Sequence, residues 1–373
     1  MLSKPMKVML TGIAGCGKTT FSDRLKSTLE GKGYVVTTNK EAIRTLIKNK
    51  GFRPPSMVAD GETYWPKETT SYGKQAFLRE LIDWQLILSN LHTYNMSIRP
   101  KMGEAMIIDR SALDSLVYFI YDIIKWSNPW TEVDPGGNEA LMDLVTHRVE
   151  EMTRHLMATT CMHVMSGAGK GSSSFEAVVD NVYEILKGSE SQKSFQDHLS
   201  EEKEEYAQWY SEDHFKGDAC RRVAYILTQY VKLMFETPGI YVVLTHNPHV
   251  EEVEEDGVRV TDVSVRNTLE IIMRNVLESF QEGLSTYDQS LLFSSVKSAG
   301  AQFPTMSFNH FGKEFGVFRP TSTAGHTGSE SMILLETRDP QDRHPDPHKD
   351  ISARTQDISN LISHLTGRKD EDT

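Results

Sequence analysis

Apolar and polar positions alternate along the chain in blocks that predict elements. Lys7–Thr11 (KVMLT) is a short, mostly apolar run closed by Gly12, which reads as a buried strand. Thr19–Glu30 carries Phe21, Leu25 and Leu29 at helical spacing, and Gly31 and Gly33 then break the chain. Tyr34–Thr38 (YVVTT) is a second β-branched run. Strand, glycine-rich loop, helix and strand in that order make a βαβ unit, which implies a parallel sheet.

Further along, Lys40–Lys48 reads as a helix and Phe52–Tyr72 as a loop rich in Pro, Gly and Thr. Gln75–Tyr94 is amphipathic and helical, Glu104–Asp109 (EAMIID) is an apolar strand ending in an acid, and Ala112–Trp126 is helical. Helices are expected over Glu139–Met157, Phe175–Leu186, Glu201–Tyr210, Arg221–Phe235 and Val263–Phe280. Ser166–Ser174 (SGAGKGSSS) is a flexible low-complexity stretch. Pro238-Gly239 signals a turn before a further core strand, Ile240–Thr245, and Ser331–Glu336 (SMILLE) is a candidate late strand. Asp339–Asp350 is a polar, Pro-rich loop, followed by a short helix and a frayed tail.

The expected architecture is an α/β, three-layer fold with a mostly parallel sheet. Its parts are a core in 1–126, a helical insertion in 127–235, a second core part with a lid-like segment in 236–282, and a partly irregular C-terminal extension in 283–373.

Composition narrows the class. Net charge is −12, from 52 acidic and 40 basic side chains, which opposes non-specific nucleic-acid binding but leaves room for a local basic groove. Cys16, Cys161 and Cys220 lie far apart and form no metal or disulfide pattern. No run approaches ~18 apolar residues, so no membrane span is expected. The expected location is the cytoplasm, or the host cytoplasm for a viral protein.

The sharpest motif is Gly12-Ile13-Ala14-Gly15-Cys16-Gly17-Lys18-Thr19, which fits G-x-x-x-x-G-K-[ST] at every fixed position, between a strand and a helix. Its glycines let backbone N–H groups turn inward around phosphates, and the helix N-terminus adds partial positive charge. Lys18 is expected on the β- and γ-phosphates of ATP and Thr19 on Mg²⁺, with Thr20 beside it. Asp109, at the end of its strand, points into the crevice where ligands sit in such sheets. It can organise Mg²⁺ or accept a proton from an attacking hydroxyl, and the sequence leaves both roles open.

Asp109-Arg110-Ser111-x-x-Asp114-x-x-x-Tyr118 resembles a segment of small P-loop kinases, the relatives of ribosylnicotinamide kinase and of deoxynucleoside and thymidylate kinases. Glu41-Ala42-x-Arg44, Gln85 and Asp256-Gly257-Val258-Arg259 with Arg266 agree with that group in order. The resemblance covers roughly 1–125 and 238–282. It implies substrate contacts from Glu41, Arg44, Gln85 and Asp114, and transition-state contacts from Arg110 and the lid arginines Arg259 and Arg266. The expected activity is ATP-dependent phosphorylation of a hydroxyl on a nucleoside or nucleotide. Two alternatives share the loop: a phage-type kinase of 5-hydroxymethyluracil within DNA, and a RecA-type ATPase acting on nucleic acid.

Other patterns carry less. His147, His155 and His163 recur two helical turns apart, yet no acid or thiol completes a metal set. His246 and His249 follow a core strand and can touch a polar substrate; Tyr64, Trp65, Tyr72 and Trp84 can stack on a base or simply pack.

Overall fold

The computed structural model describes residues 5–13, 15–39, 71–127, 139–187, 215–237, 239–244, 247, 265–280, 317–318, 332–336 and 344–365. The predicted helix 40–48, loop 52–70 and helix 201–210, together with Glu41, Arg44, Tyr64, Trp65, His246, His249 and Arg259, lie outside the described residues.

The first apolar run forms strand β1 (Met6–Thr11), buried at every residue. It lies mid-sheet because it carries almost no side chain that needs water. On one side it pairs in parallel with β3 (Glu104–Asp109), with Val8 opposite Ile107. On the other it pairs in parallel with β4 (Gly239–Val243), with Val8 opposite Ile240. Strand β2 (Val35–Asn39) is half polar, pairs only with β3 and forms one edge, where Val35 is 68% exposed. Beyond β4 come β6 (Met332–Glu336), parallel to it, and the two-residue β5 (Val317–Phe318), antiparallel to β6. The order is β2-β3-β1-β4-β6-β5. The candidate strand in the C-terminal extension is thus a full member of the sheet.

Helix α1 (Lys18–Gly31) follows β1, and α2 (Ser71–Ser97) and α3 (Ala112–Ser127) flank β3 in sequence. The chain moves one way across the sheet from β1 to β2 and the other way from β3 to β4. Right-handed crossovers therefore set α1 and α3 on opposite faces. On the α3 face lie α4 (Glu139–Met165), α5 (Ser173–Lys187) and α6 (Arg221–Glu236), the last entered through a π-helical turn, Phe215–Cys220. Helix α7, residues 265–280, packs Phe280 edge-on against Phe235 of α6. Helix α4 runs to Met165, two turns beyond its predicted end, because Leu156, Met157 and Cys161 extend the buried stripe.

Within the stretch 127–235, read as a helical insertion between strands, Val223, Ile226, Tyr230 and Met234 of α6 join the same apolar core as β1, and α6 packs on α2 and α3. The helix expected after the polar loop is α8 (Pro347–Leu365); it starts inside the predicted loop, lies against α1 and buries Ile351, Arg354 and Ile358.

Candidate nucleotide site

The loop between β1 and α1 is shaped by its glycines. Gly15 and Gly17 hold φ of 82° and 85°, the left-handed region that favours glycine. A Cβ on Gly12 would collide with the Leu244 carbonyl oxygen and stand 2.6 Å from the Cys16 sulfur. The loop therefore folds tightly against the end of β4. Helix α1 begins after Gly17 with no side-chain cap and no acid in its first turn. Its N-terminal amides and positive dipole end are left to an anion.

Lys18 is 7% exposed and lies across the loop. Its Nζ donates to the carbonyls of Gly12 and, at 2.7 Å, of Ile13. Thr19 is exposed beside it, and its hydroxyl donates to Asp109 Oδ2 at 3.4 Å. That closeness follows from topology, since β3 is the direct neighbour of β1. A hydroxyl and a carboxylate are hard oxygen donors, the set that suits Mg²⁺. The donor chemistry at Thr19 and Asp109 therefore fits the ion that the sequence expects.

Asp114, expected on the substrate, is 1% exposed and faces the loop. Oδ2 accepts from the Thr11 hydroxyl at 2.8 Å and the Ser111 amide at 3.0 Å; Oδ1 accepts from the Gly12 amide at 3.0 Å. Lys18 Nζ stands 3.9 Å from Oδ1. Ser111 in turn caps α3, accepting from the Leu113 amide at 3.1 Å. Ser111-x-x-Asp114 thus has the reciprocal spacing of a capping box, a signal already present in the sequence. Arg110 does not pair with Asp114 across the surface. Its φ of 75° turns it out of the helix, and its guanidinium lies 6.0 Å from the Tyr118 ring centroid. Among the described residues it is the one non-glycine with positive φ, a strained backbone beside the acid of the site.

Gln85 is 2% exposed, and its side-chain oxygen accepts from Tyr230 at 2.7 Å, which ties α2 to α6. Nearby, His92 Nε2 and Ser115 Oγ are 2.7 Å apart. Burial, helped by the Arg110 charge, lowers the His92 pKa to about 4, so this imidazole is neutral. Arg266, expected on a lid, is 2% exposed at the start of α7 and belongs to the packed body. Trp84 is buried and packs. Among the described residues no group of His, Cys, Asp and Glu could hold a metal by itself. His163 instead contacts Ser174 at 2.9 Å, and His147 and His155 are exposed.

Sequence reasoning missed the contribution of α8. Arg354 reaches the Cys16 carbonyl at 3.4 Å and pairs with Asp350 at 3.2 Å. Asn247, just past β4, donates to the His344 carbonyl at 3.0 Å, which fixes the approach to that helix.

Residues 7–134 match the family model of an AAA domain. No curated protein and no solved structure matches the chain. The matched stretch spans β1, the loop, β2 and β3. Loop, parallel sheet and family match together define a P-loop NTPase domain, and its ligand class is a nucleotide.

Proposed function

We propose that the protein is a phosphotransferase that moves the γ-phosphate of ATP to a hydroxyl of a nucleoside or nucleotide. The observation that carries this reading is a carboxylate at the mouth of the loop: Asp109 Oδ2 accepts from the Thr19 hydroxyl at 3.4 Å. An acceptor hydroxyl in that crevice meets a carboxylate for its proton. Arg110, the next residue, holds its guanidinium 6.0 Å from the Tyr118 ring centroid, and it would swing from there to meet the developing phosphoryl charge. The acceptor oxygen bonds to the γ-phosphorus, the bond to the β–γ bridging oxygen breaks, ADP leaves, and the hydroxyl proton passes to Asp109. Mg²⁺ would be held by Thr19, with Asp109 reaching it only through water, and would supply neutralisation of the phosphate oxygens. Lys18 exchanges the Gly12 and Ile13 carbonyls for β- and γ-phosphate oxygens. Positioning and electrostatics then account for the rate, with no covalent intermediate.

The acceptor class rests on the resemblance to small nucleoside kinases, and a modified base within DNA is the same chemistry on a polymer. A second reading is an ATPase that acts on nucleic acid; the AAA domain match over 7–134 supports its ATPase part alone. One assay separates them: transfer of radiolabelled γ-phosphate with Mg²⁺. The panel holds nucleosides, deoxynucleoside monophosphates, ribosylnicotinamide, and duplex DNA with and without 5-hydroxymethyluracil. Label on one acceptor establishes the kinase and names its substrate. Label released only as inorganic phosphate, faster with plain DNA, establishes the ATPase and overturns the kinase reading.

A further inference from the structure

Among the described residues Arg354 heads the largest fully buried side chains, and it lies in α8, far outside the matched domain. A buried guanidinium is costly unless it is paired and hydrogen-bonded. Its charge is met by Asp350, one helical turn away at 3.2 Å and equally buried. Asp350 Oδ1 also accepts from the His344 amide at 3.3 Å, which fixes the start of α8. From the first α helix, Arg24 donates to the His348 carbonyl at 3.1 Å and to the Ser352 hydroxyl. Ile351 Cδ1 stands 3.1 Å from where a Cβ on Gly17 would be, so α8 closes directly on the loop.

The arginine meets the loop at a telling atom. Nη2 donates to the carbonyl oxygen of Cys16 at 3.4 Å. No peptide bond among the described residues is cis. In a trans peptide the C=O of one residue and the N–H of the next point in opposite directions. With the Cys16 carbonyl turned toward Arg354, the Gly17 amide points away from that arginine. The Gly17 φ of 85° makes that orientation available. A cation on the carbonyl also polarises the peptide and strengthens its N–H as a donor.

We propose that Arg354 is a positioning residue of the phosphate site: from the C-terminal helix it orients and polarises the Gly17 amide toward the nucleotide phosphates. The C-terminal helix is then part of the nucleotide site, although Arg354 lies 338 positions from Cys16 in sequence. This inference rests on the loop holding nucleotide phosphates and is independent of which acceptor is phosphorylated.

The test compares the full-length protein with Arg354→Met/Asp350→Asn, which removes both buried charges together and avoids stranding one of them. Affinity for Mg-ADP and for adenosine is measured by calorimetry, and the Gly17 amide is followed in spectra of ¹⁵N-glycine-labelled protein. The expected result is a cooperative thermal transition, about tenfold weaker Mg-ADP binding, unchanged adenosine binding, and a displaced Gly17 amide resonance. Mg-ADP affinity within about twofold of wild type, or an equal loss for adenosine, overturns the proposal. Where the double variant fails to unfold cooperatively, Arg354→Lys takes its place. It keeps the charge and the partner but lacks the planar fork, and wild-type Mg-ADP affinity in that chain overturns the proposal equally. A wild-type protein that binds no Mg-ADP would overturn the phosphate-loop reading itself, an outcome distinct from the others.

Discussion

Asp114 accepts the amide of Gly12 at 3.0 Å across 102 positions of sequence, and so joins the first turn of α3 to the mouth of the phosphate loop. The same carboxylate takes the Thr11 hydroxyl and the Ser111 amide. One buried acid thus holds the end of β1, the start of the loop and the cap of α3 in a single register.

Asp114→Ala should leave these donors without their acceptor in a site closed to water. The expected cost is about 2–4 kcal/mol of stability, from an unmet penalty of about 1–3 kcal/mol for each stranded donor, partly relieved by relaxation. Asp114→Asn keeps one acceptor oxygen and should lose less. Urea denaturation of the three proteins checks the order, and an Ala variant as stable as wild type would remove Asp114 from this role.

Lys18→Ala should abolish turnover under both readings of function, since it removes the ammonium that the loop holds at the Gly12 and Ile13 carbonyls. Asp109→Asn should cut transfer by on the order of 10²-fold and leave ATP binding within about tenfold. Steady-state rates and a binding isotherm on the same preparation give both quantities. Undiminished turnover in Asp109→Asn would remove the base assignment.

The contact between Tyr230 and Gln85 makes a separable prediction. Tyr230→Phe removes the hydroxyl that donates to Gln85 Oε1 at 2.7 Å and strands a buried acceptor. Stability should fall by about 1–3 kcal/mol, with KM for the acceptor unchanged. A large rise in that KM with normal stability would return Gln85 to the substrate side.

Asp122 offers a pH signature. Burial raises its pKa to about 7 from 3.8, opposed in part by the Lys125 ammonium. Between those two values the folded protein keeps a proton that the unfolded chain releases, so this group's contribution to stability falls as pH rises. It is full below about pH 4 and lost above about pH 7. His92, lowered to about 4 from 6.5, acts in the opposite sense over most of that window. The comparison must therefore hold His92 constant. Asp122→Asn should match wild type near pH 4 and exceed its stability at pH 8, as read from urea midpoints across the range. Parallel curves would show that the Asp122 carboxyl titrates normally.

Much of the fold was legible because the relevant signals are local. The EAMIID run gave β3 to the residue, and KVMLT followed by G-x-x-x-x-G-K-T gave the strand, loop and helix that hold phosphate. Gln85 and Asp114 were legible as polar residues on helices but not in their partners. Spacing along one helix says which residues share a face and nothing about the segment that covers it. The covering segments here are α6 for Gln85 and the end of β1 for Asp114, both distant in sequence. The polar stretch before α8 reads as solvated because charge density alone cannot distinguish a surface ion pair from the buried Asp350–Arg354 pair.

The sequence alone determined that this protein carries a phosphate loop on a parallel sheet, with an acid at the end of a second strand. Those features depend on residue type and on spacings within a few turns of chain. Only the tertiary structure decided which acid serves the loop from behind and which faces the crevice, and that a C-terminal arginine closes on Cys16. Those choices come from strand order and helix packing, which bring together residues that no local period relates.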